Sequence, residues 1–258
     1  MTHSRVCVSE KTLKIISMVT MLVDHAAIGL WFYYWFYHGV DMRGWFTNSY
    51  ILEYRIFRLI GRIAFPLYCF MLVEGFVHTR NVKKYMGRLL LLAVVSEIPF
   101  DLTIYHNVIY WDSNNVVWTL LLGLIAISVM YIMAESGFRA VSDNASIGMI
   151  VYYLAPVLAC FIAYFLHTDY GFLGVACIVL MYIMNVEKKM SPVISYIVVI
   201  AILALGSSWT EVAAVLGLIP LALYNGKQGH VTKGFKWFSY LFYPVHLLAI
   251  ALIYFILL

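Results

Sequence analysis

Charge is scarce in this chain of 258 residues. Only 12% are Asp, Glu, Lys or Arg, against about a quarter in an average soluble domain. Polar surface is short for the same reason, since 64% of the chain is hydrophobic. A soluble globular enzyme of this length is therefore excluded. Disorder is excluded too, because aromatic residues make up 17%. The apolar runs do not alternate with polar residues, so a β-barrel does not fit. Cys7, Cys69, Cys160 and Cys177 show no CxxC pairing, which leaves neither a disulfide framework nor a zinc ribbon. No HExxH-type spacing is present, and no metal is expected. Repeats, low-complexity tracts and linkers are absent as well. The first apolar run is too long for a cleavable signal, and Asp24-His25 interrupts its centre, so it reads as a retained helix.

What is there is a series of long apolar runs, which defines an all-α polytopic transmembrane bundle in one integral domain, 1–258. The spacing predicts about nine helices, near 12–37, 52–77, 83–104, 115–134, 146–166, 170–186, 192–206, 208–224 and 235–257. The seventh and eighth are short and separated only by Ser207, as a tight hairpin or one broken element. Ser191-Pro192 reads as an N-cap followed by proline at the first helical position. Basic residues test this layout. Arg5, Lys11, Lys14, Arg80, Lys83, Lys84, Arg88, Arg139, Lys188, Lys189, Lys227, Lys233 and Lys236 all fall on one side when nine helices alternate, and Arg43 alone on the other. The positive-inside rule then predicts a cytoplasmic N-terminus and an external C-terminus in a bacterial inner or plasma membrane. The net charge of +4 fits these juxtamembrane loops, not a nucleic-acid surface.

Three cations do not belong to loops. Arg55, Arg58 and Arg62 lie along one face of the second helix, spaced three and then four apart. An Arg at the bilayer centre costs about 2.5–3.5 kcal/mol on an insertion scale, so the row must face a bundle or a wet cavity. Arg55 is near enough to the outer end to snorkel; Arg62 is some two turns deeper. Pro66 removes the backbone bond to the Arg62 carbonyl and predicts a kink there. Such a row suits a phosphate, a thioester oxygen or a carboxylate. Acidic partners are available in Asp24, Glu74, Glu97 and Asp101, the last two four apart and hence on one face. Buried Arg–carboxylate pairs that merely lock helices together are the alternative reading.

His25 and His246 both sit inside apolar helices. A buried histidine usually serves hydrogen bonding alone, but its ring titrates near neutrality and accepts protons from amines or hydroxyls. His25 stands beside Asp24, although neighbouring helical positions point about 100° apart. A carboxylate on another helix is therefore the expected orienter of His25. His167-Thr168-Asp169-Tyr170-Gly171 reads as a tight outer turn rather than a metal site. The run Trp31-Phe32-Tyr33-Tyr34-Trp35-Phe36-Tyr37 reads as an interfacial aromatic belt.

Four blocks carry a family likeness: LKIISMVTMLVDHAAIGLWF, RLIGRIAFPLYCFMLVEGFVHTRNVKKYMGRLLLLAVVSEIPFDL, HTDYGFLGV and KWFSYLFYPVHLL. Together they resemble the TraX family from about Lys11 to Leu252. Its most specific segments are GRIAFP, EGFVHTRN and SEIPFD. TraX is similar to polytopic acyltransferases that use acyl-CoA, and its best-known member acetylates a conjugative pilin subunit. The resemblance implies a membrane acetyltransferase with acetyl-CoA as co-substrate and a pilin-like peptide or glycan as acceptor. Matching motif positions here are Asp24, His25, Arg58, Arg62, Glu74, Arg80, Glu97, Asp101, Asp169 and His246. In the mechanism this suggests, His25 is the general base, with Asp24, Arg58, Arg62, Glu97 and Asp101 around it, and Arg62 or Arg58 on the oxyanion. Arg80, Lys83, Lys84 and Arg88 would meet the phosphates of CoA, alongside Lys233 and Lys236, with His246 in the CoA channel. A proton-coupled transporter or channel would use the same buried Arg, Asp, Glu and His groups. That reading is less favoured because no inverted repeat appears.

Overall fold

The computed structural model describes residues 7–31, 33 and 49–257, and these residues form helices joined by short connections, with no β-strand among them. The segments are α1 (Glu10–Ala26) running into a π-helical turn (Ala27–Trp31), α2 (Ser49–Gly61), α3 (Ala64–His78), α4 (Val82–Ile104), α5 (Val116–Glu135), α6 (Ala145–Phe165), α7 (Gly171–Tyr182) with a second π-helical turn (Ile183–Glu187), α8 (Pro192–Gly206), a 3-10 helix (Trp209–Gly217) continuing into α9 (Leu218–Ala222), and α10 (Lys233–Leu257). Each of the nine runs read from hydropathy thus has a helical counterpart among the described residues. The second is divided. A tight turn at Arg62-Ile63, with Arg62 N–H donating to the Leu59 carbonyl at 3.2 Å, separates α2 from α3. Pro66 sits in the first turn of α3, so the break falls where the missing N–H placed it. The Ser207-Ser208 pair ends α8 and caps the 3-10 helix, with the Ser208 hydroxyl accepting from Thr210 N–H. Arg5, Arg43 and most of the aromatic belt lie outside the described residues.

Among the described residues, five segments are long and apolar enough to cross a membrane: Glu10–Trp31, Ile51–His78, Val116–Glu135, Ala145–Phe165 and Lys233–Leu257. Gly171–Glu187, Pro192–Gly206 and Trp209–Ala222 are shorter apolar helices. The chain forms two compact units, one of Met1–Tyr68, Ile98–Ile109 and Ser208–Leu258, the other of Cys69–Glu97 and Tyr110–Ser207.

In the first unit α1 packs against α2 and α10, and α2 against the 3-10 helix. Ser9 caps α1 by accepting from Thr12 N–H at 3.3 Å. The residues ahead of α1 are tied to the connection after α9, since Val8 N–H donates to Leu223 and Asn225 N–H donates back to Val8. At the opposite end of α1, Gly29 approaches Thr103 and Ile250 so closely that an added Cβ would lie 2.6 Å from the Ile250 side chain. The Thr103 hydroxyl lies within hydrogen-bond reach of the Leu247 carbonyl at 2.7 Å, so the end of α4 is fixed to α10 one residue from His246.

The second unit is built on α5, which packs on α6 and α7, while α7 also packs on α8. Leu124, Ile127, Val175, Ile178, Met181 and Tyr196 are fully buried between them. Gly123 lets Ile178 approach the α5 backbone, the small-residue contact by which apolar helices pack when lipid offers no hydrophobic contrast. Asn115 caps α5, and Ser191 caps α8 ahead of Pro192 as its sequence predicted.

Candidate functional site

Four charged side chains of the first unit meet at one place. Arg58 donates from an η nitrogen to Asp24 Oδ2 at 2.5 Å. Arg62 donates from Nη2 to Asp24 Oδ1 at 3.3 Å, from Nη1 to Glu211 Oε1 at 2.8 Å, and from Nε to the Arg58 carbonyl at 3.2 Å. Two guanidiniums and two carboxylates therefore form one chain, with formal charges that cancel. The local sequence explains the approach. Gly61 carries no side chain, and a Cβ there would occupy the space of the Asp24 carboxylate. The break after Gly61 lets Arg62 leave the helical path and reach the 3-10 helix, where Glu211 is 1% exposed. Arg62 and Asp24 keep 14% and 13% of their side-chain exposure, Arg58 27%. Desolvation of this kind is tolerable only when each charge keeps partners, as here.

Next to Asp24, His25 turns to α10. Its Nδ1 lies 2.7 Å from Nε2 of His246, and both rings are buried. The rings are nearly coplanar at 12°, with centroids 5.1 Å apart. That separation and the short N···N distance describe two imidazoles joined edge to edge by a hydrogen bond, not stacked face to face. Nδ1 of His246 lies 2.6 Å from the Phe242 carbonyl oxygen. Phe242 lies nearly parallel to the His246 ring at 4.7 Å between centroids, and Tyr243 presents its ring at 62° to both histidines. The π-helical turn begins two residues after His25, and such turns are frequent where a helix is adapted to function.

Of the residues singled out by sequence, Asp24, His25, Arg58, Arg62 and His246 come together in this unit. Asp101 is buried in the same unit, near the end of α4. Glu97 belongs to the second unit. Its carboxylate accepts from Asn115 N–H at 3.2 Å, from Asn115 Nδ2 at 2.5 Å and from Trp118 Nε1 at 2.7 Å, so it braces the start of α5. Glu74 lies beside His78 at 3.6 Å in the second unit. Arg80, Lys83, Lys84 and Arg88 stand at the start of α4, also in that unit, where Asn81 Oδ1 accepts from Lys84 N–H and Arg88 lies over the Tyr85 ring. Asp169 turns its Oδ1 to Tyr170 N–H, within a connection where His167, Tyr170 and Gly171 adopt positive φ. Thr119 donates to the Asp169 carbonyl and fixes that turn to α5.

Two features were not foreseen. Glu211 sits four residues into a short apolar stretch and gives no local sign that it faces an arginine 149 positions earlier. The partner of the His25 ring is a second imidazole, where a carboxylate was expected. His246 was marked by its polarity inside the apolar run YLFYPVHLL and by the family resemblance, neither of which pointed to His25 as its partner.

A helical multi-pass membrane protein with a buried histidine pair beside a neutral Arg–carboxylate chain is the class these observations define. The model of the family described as TraX protein matches residues 9–254, and the chain belongs to that family. Among curated proteins it is similar to the "Probable fimbrial assembly protein FimC, serogroup H1" of Dichelobacter nodosus, at 26% identity over 254 residues covering 91% of each chain. No solved structure matches it.

Proposed function

We propose that the protein is a membrane-embedded acyltransferase of a bacterial inner or plasma membrane, moving an acetyl group from acetyl-CoA to an amine or hydroxyl of a membrane-associated acceptor. Membership of the TraX family supports the reaction class. The fimbrial assembly protein to which it is similar favours a pilin-like peptide over a glycan as acceptor. The observation that carries the reading is the buried His25–His246 pair placed next to Asp24, whose carboxylate holds Arg58. A transfer from a thioester needs a base for the acceptor and a cation for the oxyanion, and these residues offer both.

In this reaction His25 takes the proton as the acceptor nitrogen or oxygen attacks the thioester carbonyl. The resulting oxyanion meets a guanidinium. Arg58 is the better candidate, because among the described residues it makes one side-chain bond, to Asp24, and remains the more exposed of the two arginines. Arg62, engaged at Nε, Nη1 and Nη2, instead fixes the geometry of the chain. Collapse of the tetrahedral intermediate releases the CoA thiolate, which takes the proton back from His25. Within the same unit, Lys233 and Lys236 begin the helix that carries His246. They precede it by 13 and 10 residues, about 15–20 Å along the axis. Cations at that distance from the histidines suit the nucleotide phosphates of acetyl-CoA, with its pantetheine arm reaching toward the pair.

The test is transfer of labelled acetyl from acetyl-CoA by the purified, detergent-solubilised protein to an N-terminal pilin peptide, with a glycan acceptor in parallel. Acceptor mass gain that vanishes in His25→Gln supports the proposal. Solute or ion flux in proteoliposomes without acetylation identifies a transporter instead.

A further inference from the structure

We propose that His246 is a positioning residue that sets the tautomer of His25, so that His25 presents a bare Nε2 to its substrate. A chain of hydrogen bonds runs inward from the Phe242 carbonyl through His246 to His25. A carbonyl oxygen accepts and never donates, so the 2.6 Å contact requires the hydrogen of His246 to lie on Nδ1. A neutral imidazole carries one such hydrogen, and Nε2 of His246 is therefore an acceptor. Nε2 lies 2.7 Å from Nδ1 of His25 in a nearly coplanar arrangement, which places the His25 hydrogen on Nδ1. Nε2 of His25 then holds a lone pair.

Packing keeps this order from reversing. His246 is held against Phe242 on one face and by the edge of Tyr243, so its ring cannot flip without moving both. The Thr103 hydroxyl against the Leu247 carbonyl fixes the backbone beside it. The carbonyl of Phe242 is a fixed part of α10 and supplies a constant acceptor, with no ionisable group at the outer end of the chain. His246 thus orients His25 without placing a further charge among Asp24, Arg58, Arg62 and Glu211.

The tautomer rests on hydrogen bonds alone, and its use in catalysis rests on the acyl-transfer reading above. In that use an acceptor N–H or O–H bond breaks, its electron pair stays with the nucleophile, and the proton forms a bond to Nε2 of His25. Nδ1–H of His25 stays directed at His246 throughout.

The experiment is ¹⁵N spectroscopy of imidazole-labelled full-length protein in detergent, with His25→Gln and His246→Gln to assign the resonances, beside the acetyl-transfer assay. The expected wild-type spectrum has His25 protonated at Nδ1 and bare at Nε2, with scalar coupling across the N–H···N bond. In His246→Gln the amide oxygen replaces the accepting nitrogen, so the His25 tautomer and most of the transfer rate should persist. In His246→Leu no acceptor remains. His25 should there populate the Nε2–H form, with transfer falling about 10²-fold or more, the scale of a lost general base. A wild-type His25 carrying its hydrogen on Nε2 overturns the proposal, and so does a His246→Leu variant whose His25 tautomer is unchanged. Loss of transfer in His246→Gln with the His25 tautomer intact also overturns it, because His246 would then be the base itself. Should the tautomers be as expected while the wild type transfers no acetyl group, the positioning role stands and the acyltransferase reading falls.

Discussion

Arg62 and Arg58 share a partner in Asp24, yet they should fail differently. Arg62 bridges Asp24 and Glu211, and its removal leaves the almost fully buried Glu211 carboxyl without its cation. Breaking a buried pair from one side costs about 3–5 kcal/mol, so Arg62→Gln should lower the unfolding midpoint in detergent sharply. Pairing it with Glu211→Gln should recover part of that loss, and the double-mutant cycle should give a coupling of about 0.5–3 kcal/mol. A coupling of zero would mean that the two side chains do not meet. Arg58→Lys keeps a cation near Asp24 but loses the planar guanidinium fork, so under the proposed acyl transfer its rate should fall while its unfolding midpoint stays close to wild type. His25→Gln should likewise leave folding intact, because it adds no charge to the bilayer, and under the proposed acyl transfer it should remove about 10²-fold or more of the rate. At this scale the sequence revealed which side chains were out of place in an apolar helix. It could not say which met which, because His25 and His246 are separated by 221 positions and no local pattern links them.

At the scale of elements, two glycines in helices make opposite predictions. Gly61→Ala should drive a methyl group into the Asp24 carboxylate and part α1 from α2, a loss on the order of 1–3 kcal/mol as in other overpacked sites. Gly87→Ala meets nothing within 4 Å and should raise stability by about 0.5–1 kcal/mol through helix propensity. Thermal unfolding of the two variants side by side checks both signs. Asn115→Ala should cost about 1–2 kcal/mol through loss of the α5 cap, and it also strips Glu97 of a donor. Faster amide exchange confined to the first turn of α5 would register it. The elements themselves were largely legible, since hydropathy marked the runs, and Ser191-Pro192 and Pro66 marked a start and a break. The 3-10 winding of Trp209–Gly217 was not legible. Its sequence WTEVAAVLG holds no proline or other signal of tighter winding, and the geometry that brings Glu211 to Arg62 is a tertiary outcome.

For the whole molecule, the asymmetry of its basic loops makes a topology prediction. Reporter fusions at Lys84, Lys189 and Lys233 should read as cytoplasmic, and one at Asn107 as external. A cytoplasmic reading at Asn107 would show that the third run does not cross. The cancelling charges of Asp24, Arg58, Arg62 and Glu211 also have a history during synthesis. Asp24 and both arginines leave the ribosome early, whereas Glu211 follows Arg62 by 149 residues. At about 5–20 residues per second that interval lasts roughly 7–30 s. Through it, the cluster of Asp24, Arg58 and Arg62 holds two cations against one carboxylate, an unbalanced charge that is costly in hydrocarbon. The nascent hairpin is therefore expected to stay in the aqueous groove of the insertion machinery, or at its lipid margin, until Glu211 arrives. A ribosome stalled before Glu211 should leave these helices extractable by alkaline carbonate, and one stalled well past it should not.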